Sequence, residues 1–419
     1  MIFLSKINKL LKNETIVNGS LFSLFSFINR GFKFLLLLVL ANYIAPAEYG
    51  ILSLFSTVTV VVGYFIALST EGYLSVSYFR DGEYGLKQTF TCVLYTNLIV
   101  LFFLVSLLLL FGDFLSIKLD LPLLCLFFSV VISSLTVFSH MILNYFRLQK
   151  NIRRYALFSC SNALLNFLIT IFLIKFLFWG WMGQVYAQLI CCFIFGLFGL
   201  FFFFKKKFVV VPKKSHWKMM LVWGIPLIPH LATNFIRQGL DRYIINYYHS
   251  IDDVGLFSFA LNLANIIVMV GVGFNQSNSV SIYAVLGNSN LTEEEKTKCL
   301  RTQRKNIFWV YLFCSFFVTV VCLSFVPLII PKYSMAMKYF PLLSLYAFFN
   351  CLYFLYTNYL FYYKKTKNLM YITFGSSVIH LCLSLLLTKF SLYYTCGIYC
   401  FSQLLILFFV RRRAMLCKT

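Results

Sequence analysis

The chain has 419 residues, is 61% hydrophobic and only 12% charged, and carries a net charge of +23. A soluble domain holds about 25% charged residues, so the composition excludes a soluble globular fold and indicates an all-α integral membrane protein. The basic excess is not the mark of a nucleic-acid partner, because Lys and Arg lie between apolar runs instead of on a folded basic domain.

Met1 to Asn13 set Ile2, Phe3, Ile7, Leu10 and Leu11 against Lys6, Lys9 and Lys12, the pattern of an amphipathic helix on the inner membrane surface. Ile16 to Ala41 is too long for the apolar core of a signal peptide and reads as the first span. Further apolar runs of span length fall at 50–70, 89–111, 121–146, 155–177, 181–204, 217–240, 254–286, 307–330, 339–362, 369–389 and 392–410. About twelve transmembrane helices are predicted. Lys and Arg divide about 27 against 7 between the even-numbered connections with the termini and the odd-numbered connections, which places both termini in the cytoplasm. The longest basic connection, Lys205 to Lys218, falls at the midpoint. It predicts an N-terminal six-helix bundle over 1–204, a cytoplasmic linker over 205–218 and a C-terminal six-helix bundle over 219–419. Thr292 with Glu293, Glu294 and Glu295 forms a capping-box start, read as a short cytoplasmic helix on the inner surface.

Chemistry enters where charge interrupts the apolar runs. Arg30 and Lys33 sit mid-run, three residues apart, on one helix face. A charge near the bilayer centre costs roughly 3 kcal/mol on insertion scales, so that face lines water, a partner or an anion, or else both side chains snorkel to an interface. In the seventh span Arg237 and Asp241 are four apart and can pair on one face, as a structural clasp or a functional element. Arg242 points to a different side. His230, seven before Arg237, is either a packing residue or a proton carrier. Glu71 is an interfacial cap or a cavity acid. Pro226 and Pro229 should break or bend the seventh helix, as a gate or a static kink. Paired amides such as Asn162 and Asn166, Gln184 and Gln188, and Asn262 and Asn265 suit hydrogen bonds between helices. The 13 Cys lie mostly in apolar runs, and no spacing resembles a metal site, so no metal or cofactor is expected.

The halves share a local pattern. Ala47-Glu48-Tyr49-Gly50-Ile51-Leu52-Ser53 resembles Asp252-Asp253-Val254-Gly255-Leu256-Phe257-Ser258, each after a span carrying charge. With an even number of spans per half, the repeats run parallel about an axis along the membrane normal.

At these residues the chain resembles the polysaccharide-transporter branch of the MOP superfamily, which includes Wzx-type O-antigen flippases and is related to the MATE exporters. The carrying pieces are Pro226-Leu227-Ile228-Pro229-His230, Asp241-Arg242-Tyr243-Ile244-Ile245, Val254-Gly255-Leu256-Phe257-Ser258, Ala45-Pro46-Ala47-Glu48-Tyr49-Gly50 and Glu71-Gly72 to Arg80. The resemblance implies two six-helix bundles around a central cavity, alternating access, residence in the bacterial inner membrane, and an undecaprenyl-diphosphate-linked oligosaccharide as cargo. It implies basic cavity residues that hold the diphosphate, for which Arg30, Lys33 and Arg237 are the candidates. Glu71, Asp241, His230, Pro226 and Pro229 are the candidates for coupling to H+ or Na+ or for gating. Asp241 lies near the end of its span, which leaves its centre without the acid that proton coupling uses. Polysaccharide polymerase and assembly proteins are implied partners beside the lipid bilayer. An alternative is a MATE-like cation-coupled exporter, whose cargo a basic cavity would repel. A membrane polymerase or ligase needs a substantial outer loop with catalytic groups. The outer loops here are short and no catalytic constellation occurs, so the chain is not read as an enzyme.

Overall fold

The computed structural model describes residues 14–68, 70–225, 227–288, 290–363 and 365–416. Within these, side chains are not described for much of 14–33, for Glu71, and for several positions between 227 and 234. Among the described residues the fold is helical without strands. Fourteen helices run in order: α1 Glu14–Tyr43, α2 Pro46–Ala67, α3 Tyr73–Leu119, α4 Leu123–Leu148, α5 Ile152–Ile171, α6 Gly180–Lys205, α7 Lys214–Gly224, α8 Leu227–Gln238, α9 Leu240–Tyr248, α10 Ile251–Leu286, α11 Glu293–Ile329, α12 Phe340–Tyr362, α13 Thr366–Leu387 and α14 Leu392–Leu416. Ten of them are long and apolar enough to cross a membrane. The first predicted span is α1, and the seventh is distributed over α7, α8 and α9. The amphipathic segment predicted over Met1 to Asn13 lies outside the described residues.

The chain forms two compact units, 1–43 with 54–232, and 44–53 with 233–419. The division therefore falls inside α2 and inside α8. Both units repeat one packing order. In the first, α1 packs on α5, α3 on α4, α4 on α6 and α5 on α6; in the second, α9 packs on α13, α11 on α12, α12 on α14 and α13 on α14.

Three elements depart from the sequence reading. α3 is a 47-residue run with a break at Gly82, whose φ of 63° and ψ of −145° suit glycine alone. The segment around Arg80 is thus a separate short helix folded against the span. α11 is one continuous helix from Glu293, so the cytoplasmic helix expected as a separate piece is the first turns of the ninth span. Its capping box is present, with the Thr292 hydroxyl accepting from Glu295 N–H. In the seventh span the interruption lies between Gly224 and Leu227. Pro229 is the third residue of α8, where a missing N–H leaves no helical bond unmade.

The basic connection after α6 is strapped onto α3. Gln88 donates to the Val211 carbonyl at 3.0 Å and accepts from Lys213 N–H at 2.9 Å, while Thr91 donates to the Phe208 carbonyl at 3.0 Å. Phe208, 1% exposed, anchors it among Phe90, Phe203 and Tyr145.

In the second unit the repeat-related segments meet each other. A Cβ on Gly50 would lie 2.2 Å from the Ile251 carbonyl oxygen, and one on Gly255 would lie 1.9 Å from that of Pro46. One turn on, the Ser53 hydroxyl donates to the Ser258 hydroxyl at 2.8 Å. Equivalent residues in reciprocal contact are the signature of a local two-fold axis. The glycines are required because helix backbones touch there.

Candidate functional site

The second unit encloses polar chemistry among α8, α9, α13 and α14. Arg237 lies in the last turn of α8. α8 ends at Gln238 and α9 begins at Leu240, with Gly239 between them in helical dihedrals and its N–H donating to the Phe235 carbonyl at 2.7 Å. Arg237 and Asp241 do not pair as the sequence spacing allowed, because Asp241 is held by His380 and Arg237 turns to Gln403. Arg237 Nη1 donates to Gln403 Oε1 on α14 at 3.1 Å, and its Nε is enclosed without a hydrogen-bond acceptor. Among the described residues no carboxylate lies within ion-pair distance of Arg237. Beside it Gln238 donates to the Tyr346 hydroxyl at 3.0 Å.

Asp241 faces the opposite chemistry and is completely buried. His380 Nε2 stands 2.7 Å from Asp241 Oδ2, and the Ser384 hydroxyl donates to Asp241 Oδ1. The other imidazole nitrogen, Nδ1, lies 2.9 Å from the Ser402 hydroxyl. His380 is itself 0% exposed and stacks edge-on against Tyr399. The cluster continues along α13. Ser384 and Thr388 hydroxyls are 3.2 Å apart, Thr395 donates to Thr388 at 3.0 Å, and His249 Nε2 meets the Thr388 carbonyl at 2.6 Å. Buried polar groups that are this well satisfied can hold and pass a proton among themselves.

Arg242, expected on a different side, is half-buried. Tyr49 accepts from Asn262 Nδ2 at 2.7 Å. His380 escaped the sequence reading. Its signal was the spacing His380, Ser384, Thr388, three polar residues on one face of an apolar helix.

The side chains of Arg30, Lys33, Glu71, Pro229 and His230, and all of Pro226, lie outside the described residues. Arg30 and Lys33 fall within the helical backbone of α1, and Glu71 falls in the 3-10 turn Thr70–Gly72 before α3. On α1 their neighbour Asn29 donates to Ser159 of α5. Among the described residues no group of His, Cys, Asp and Glu is placed to hold a metal ion.

Among the described residues, membrane-length helices with ionisable groups enclosed among them define a multi-pass membrane protein. The family described as "Polysaccharide biosynthesis protein" matches residues 16–280, and the MatE family matches residues 226–386. The chain belongs to the polysaccharide biosynthesis protein family. It is 23% identical over 359 residues to a Lsg locus protein of Haemophilus influenzae, covering 83% of this chain and 84% of that one. Among solved structures, the inward-facing form of a multidrug resistance MATE transporter superposes with a TM-score of 0.74 at 13% identity, covering 93% of this chain and 95% of that one. A MOP transporter from Pyrococcus furiosus, described as having a binding pocket of reverse polarity, superposes with a TM-score of 0.64 at 14% identity over 96% of each chain. These likenesses establish the fold.

Proposed function

We propose that this chain is a flippase that moves an undecaprenyl-diphosphate-linked oligosaccharide from the cytoplasmic to the periplasmic leaflet of a bacterial inner membrane by alternating access. The observation that supports this best is Arg237. A guanidinium inside the second unit, with one arm on a neutral amide, an enclosed Nε and no carboxylate, is an uncompensated cation. Such a group is costly within a membrane protein unless an anion completes it. Diphosphate suits it, because guanidinium binds phosphate oxygens through a planar fork. Arg30 and Lys33 are proposed to complete the anion site. Both termini are cytoplasmic in this reading, which the distribution of Lys and Arg supports. Polymerase and assembly proteins would receive the product.

Asp241 with His380 is proposed as the coupling element. A carboxylate and an imidazole in contact change net charge when one proton is added, and the hydroxyls of Ser384, Thr388 and Thr395 extend the hydrogen-bonded track from Asp241. Asp241 is among the coupling candidates of the sequence reading, and His380, absent from that reading, is proposed as its partner.

The test is a flipping assay in liposomes with a fluorescent polyprenyl-diphosphate glycan. Charge-assisted hydrogen bonds contribute about 1.5–3 kcal/mol, so Arg237→Ala should slow transport by about tenfold or more, with Arg237→Lys in between. A wild-type rate in Arg237→Ala removes the phosphate assignment, and uptake of organic cations in place of the glycan favours an exporter.

A further inference from the structure

We propose that α7 carries a binding site for an anionic phospholipid of the surrounding bilayer. α7 has two faces. His216, Met220 and Gly224, spaced by four, are buried against the first unit. His216 lies 2.9 Å from the Thr89 hydroxyl, and a Cβ on Gly224 would lie 2.4 Å from the Leu68 carbonyl oxygen, so the helix is seated directly on backbone. The other face lines a groove of about 570 Å³ formed by Lys214, Trp217, Lys218, Leu221, Val222 and Ile225. These positions fall at i, i+3, i+4, i+7, i+8 and i+11, a single helical stripe.

The stripe is ordered by chemistry. Lys214 and Lys218 stand one turn apart at its start, both exposed. Among the described residues neither is in an ion pair, because nearby acids are engaged elsewhere: Asp81 with Arg80 at 3.3 Å and Glu83 with Lys87 at 3.1 Å. Past the lysines the groove is wholly apolar, with Val222 64% and Ile225 49% exposed. Trp217 lies between the two lysines. Its indole N–H already donates to Thr96 at 2.9 Å, which fixes the ring as a wall.

Two ammonium groups above an apolar channel, with an interfacial aromatic between them, complement a phosphate head group with its acyl chain below. The lining decides between lipids. It offers no free hydroxyl, amide or carboxylate for sugar, so it reads phosphate and chain alone. A bilayer phospholipid satisfies this lining fully, whereas the glycan of a glycan-bearing lipid gains nothing from it. The site is therefore separate from the proposed transport site and does not rest on it.

Native mass spectrometry of the full-length protein with phosphatidylglycerol and phosphatidylcholine tests the proposal. Wild type should retain phosphatidylglycerol at least tenfold over phosphatidylcholine. A Lys near an anionic lipid surface contributes about fivefold, so Lys214→Ala with Lys218→Ala should lower retention by about thirtyfold. The corresponding double Arg variant should keep it. Val222→Trp fills the groove with both lysines intact and should displace the lipid as well. All three sets of changes lie on exposed positions, and unchanged thermal unfolding shows that the fold is kept. Undiminished retention in the double Ala variant overturns the proposal. So does an absence of head-group preference in wild type, or displacement of phosphatidylglycerol by an equimolar polyprenyl diphosphate.

Discussion

At the scale of residues, the two charges of the seventh span have divergent fates. Asp241 has its lone pairs met by His380 and Ser384, whereas Arg237 keeps an enclosed donor unmet. Removing one partner of a buried pair leaves the other exposed to the desolvation cost, about 3–5 kcal/mol. Asp241→Ala should therefore lower the thermal unfolding temperature in detergent more than Ser402→Ala, which removes neutral hydrogen bonds to His380 and to the Ile398 carbonyl, each worth about 1 kcal/mol. If the two variants melt alike, the carboxylate and imidazole are not energetically coupled. None of this pairing was legible in the sequence, since 139 residues separate Asp241 from His380 and nothing local joins them. A second histidine, His216 in the basic first turn of α7 ahead of the apolar run that starts at 217, gives a pH signature. Burial holds the His216 imidazole below its usual value, with Asp81 opposing and Arg80 adding to the depression. The unfolded chain then takes up this proton first, so stability is lost as pH falls through about 6.5 and levels off below the folded value. His216→Gln should flatten the unfolding temperature between about pH 7 and pH 5, and an unchanged slope would assign the acid sensitivity to other groups.

Whole elements were readable to the extent that hydropathy alone defines them. Most apolar runs matched helices within a few residues, because a helix must satisfy its backbone inside the bilayer, whereas α3 and α11 run well past theirs and the seventh is split. The interruptions were less readable. Gly82 breaks α3 through a positive φ that sequence does not announce, and α8 gives way to α9 at Gly239, beyond both prolines of the seventh span. The repeat was the exception. Gly50 and Gly255 stood out as matching positions, and they are the two glycines pressed against backbone at the crossing of α2 and α10. A methyl group on Gly255 would overlap the Pro46 carbonyl, where no side chain can swing aside. Overpacking of this kind costs about 1–3 kcal/mol or more. Gly255→Ala should unfold at a lower temperature and lose monodispersity on size exclusion. Gly397→Ala, where a Cβ meets nothing within 4 Å, should be neutral or slightly stabilising within an otherwise identical helix. Equal behaviour of the two would mean that the helices are not held in backbone contact.

For the molecule as a whole, the asymmetry of charge is a statement about which side of a membrane each connection occupies. The loops rich in Lys and Arg resist translocation, and the connection from Leu291 to Lys305 is among the most basic. Cys299 is exposed on the first turns of α11, inside that connection. Cys382 is exposed too, but within the last third of α13, a helix long and apolar enough to cross a membrane. Maleimide reacts with a thiolate, which forms in water and not in hydrocarbon. A membrane-impermeant maleimide should therefore label Cys299 in inverted vesicles and not in intact spheroplasts, and should leave Cys382 untouched in both. Cys417→Ser removes the thiol at the C-terminus, so that loss of signal in Cys299→Ser identifies the reacting residue. Labelling of Cys299 from the outer face would reverse the topology, and with it the direction in which a cargo recognised by Arg237 could be carried.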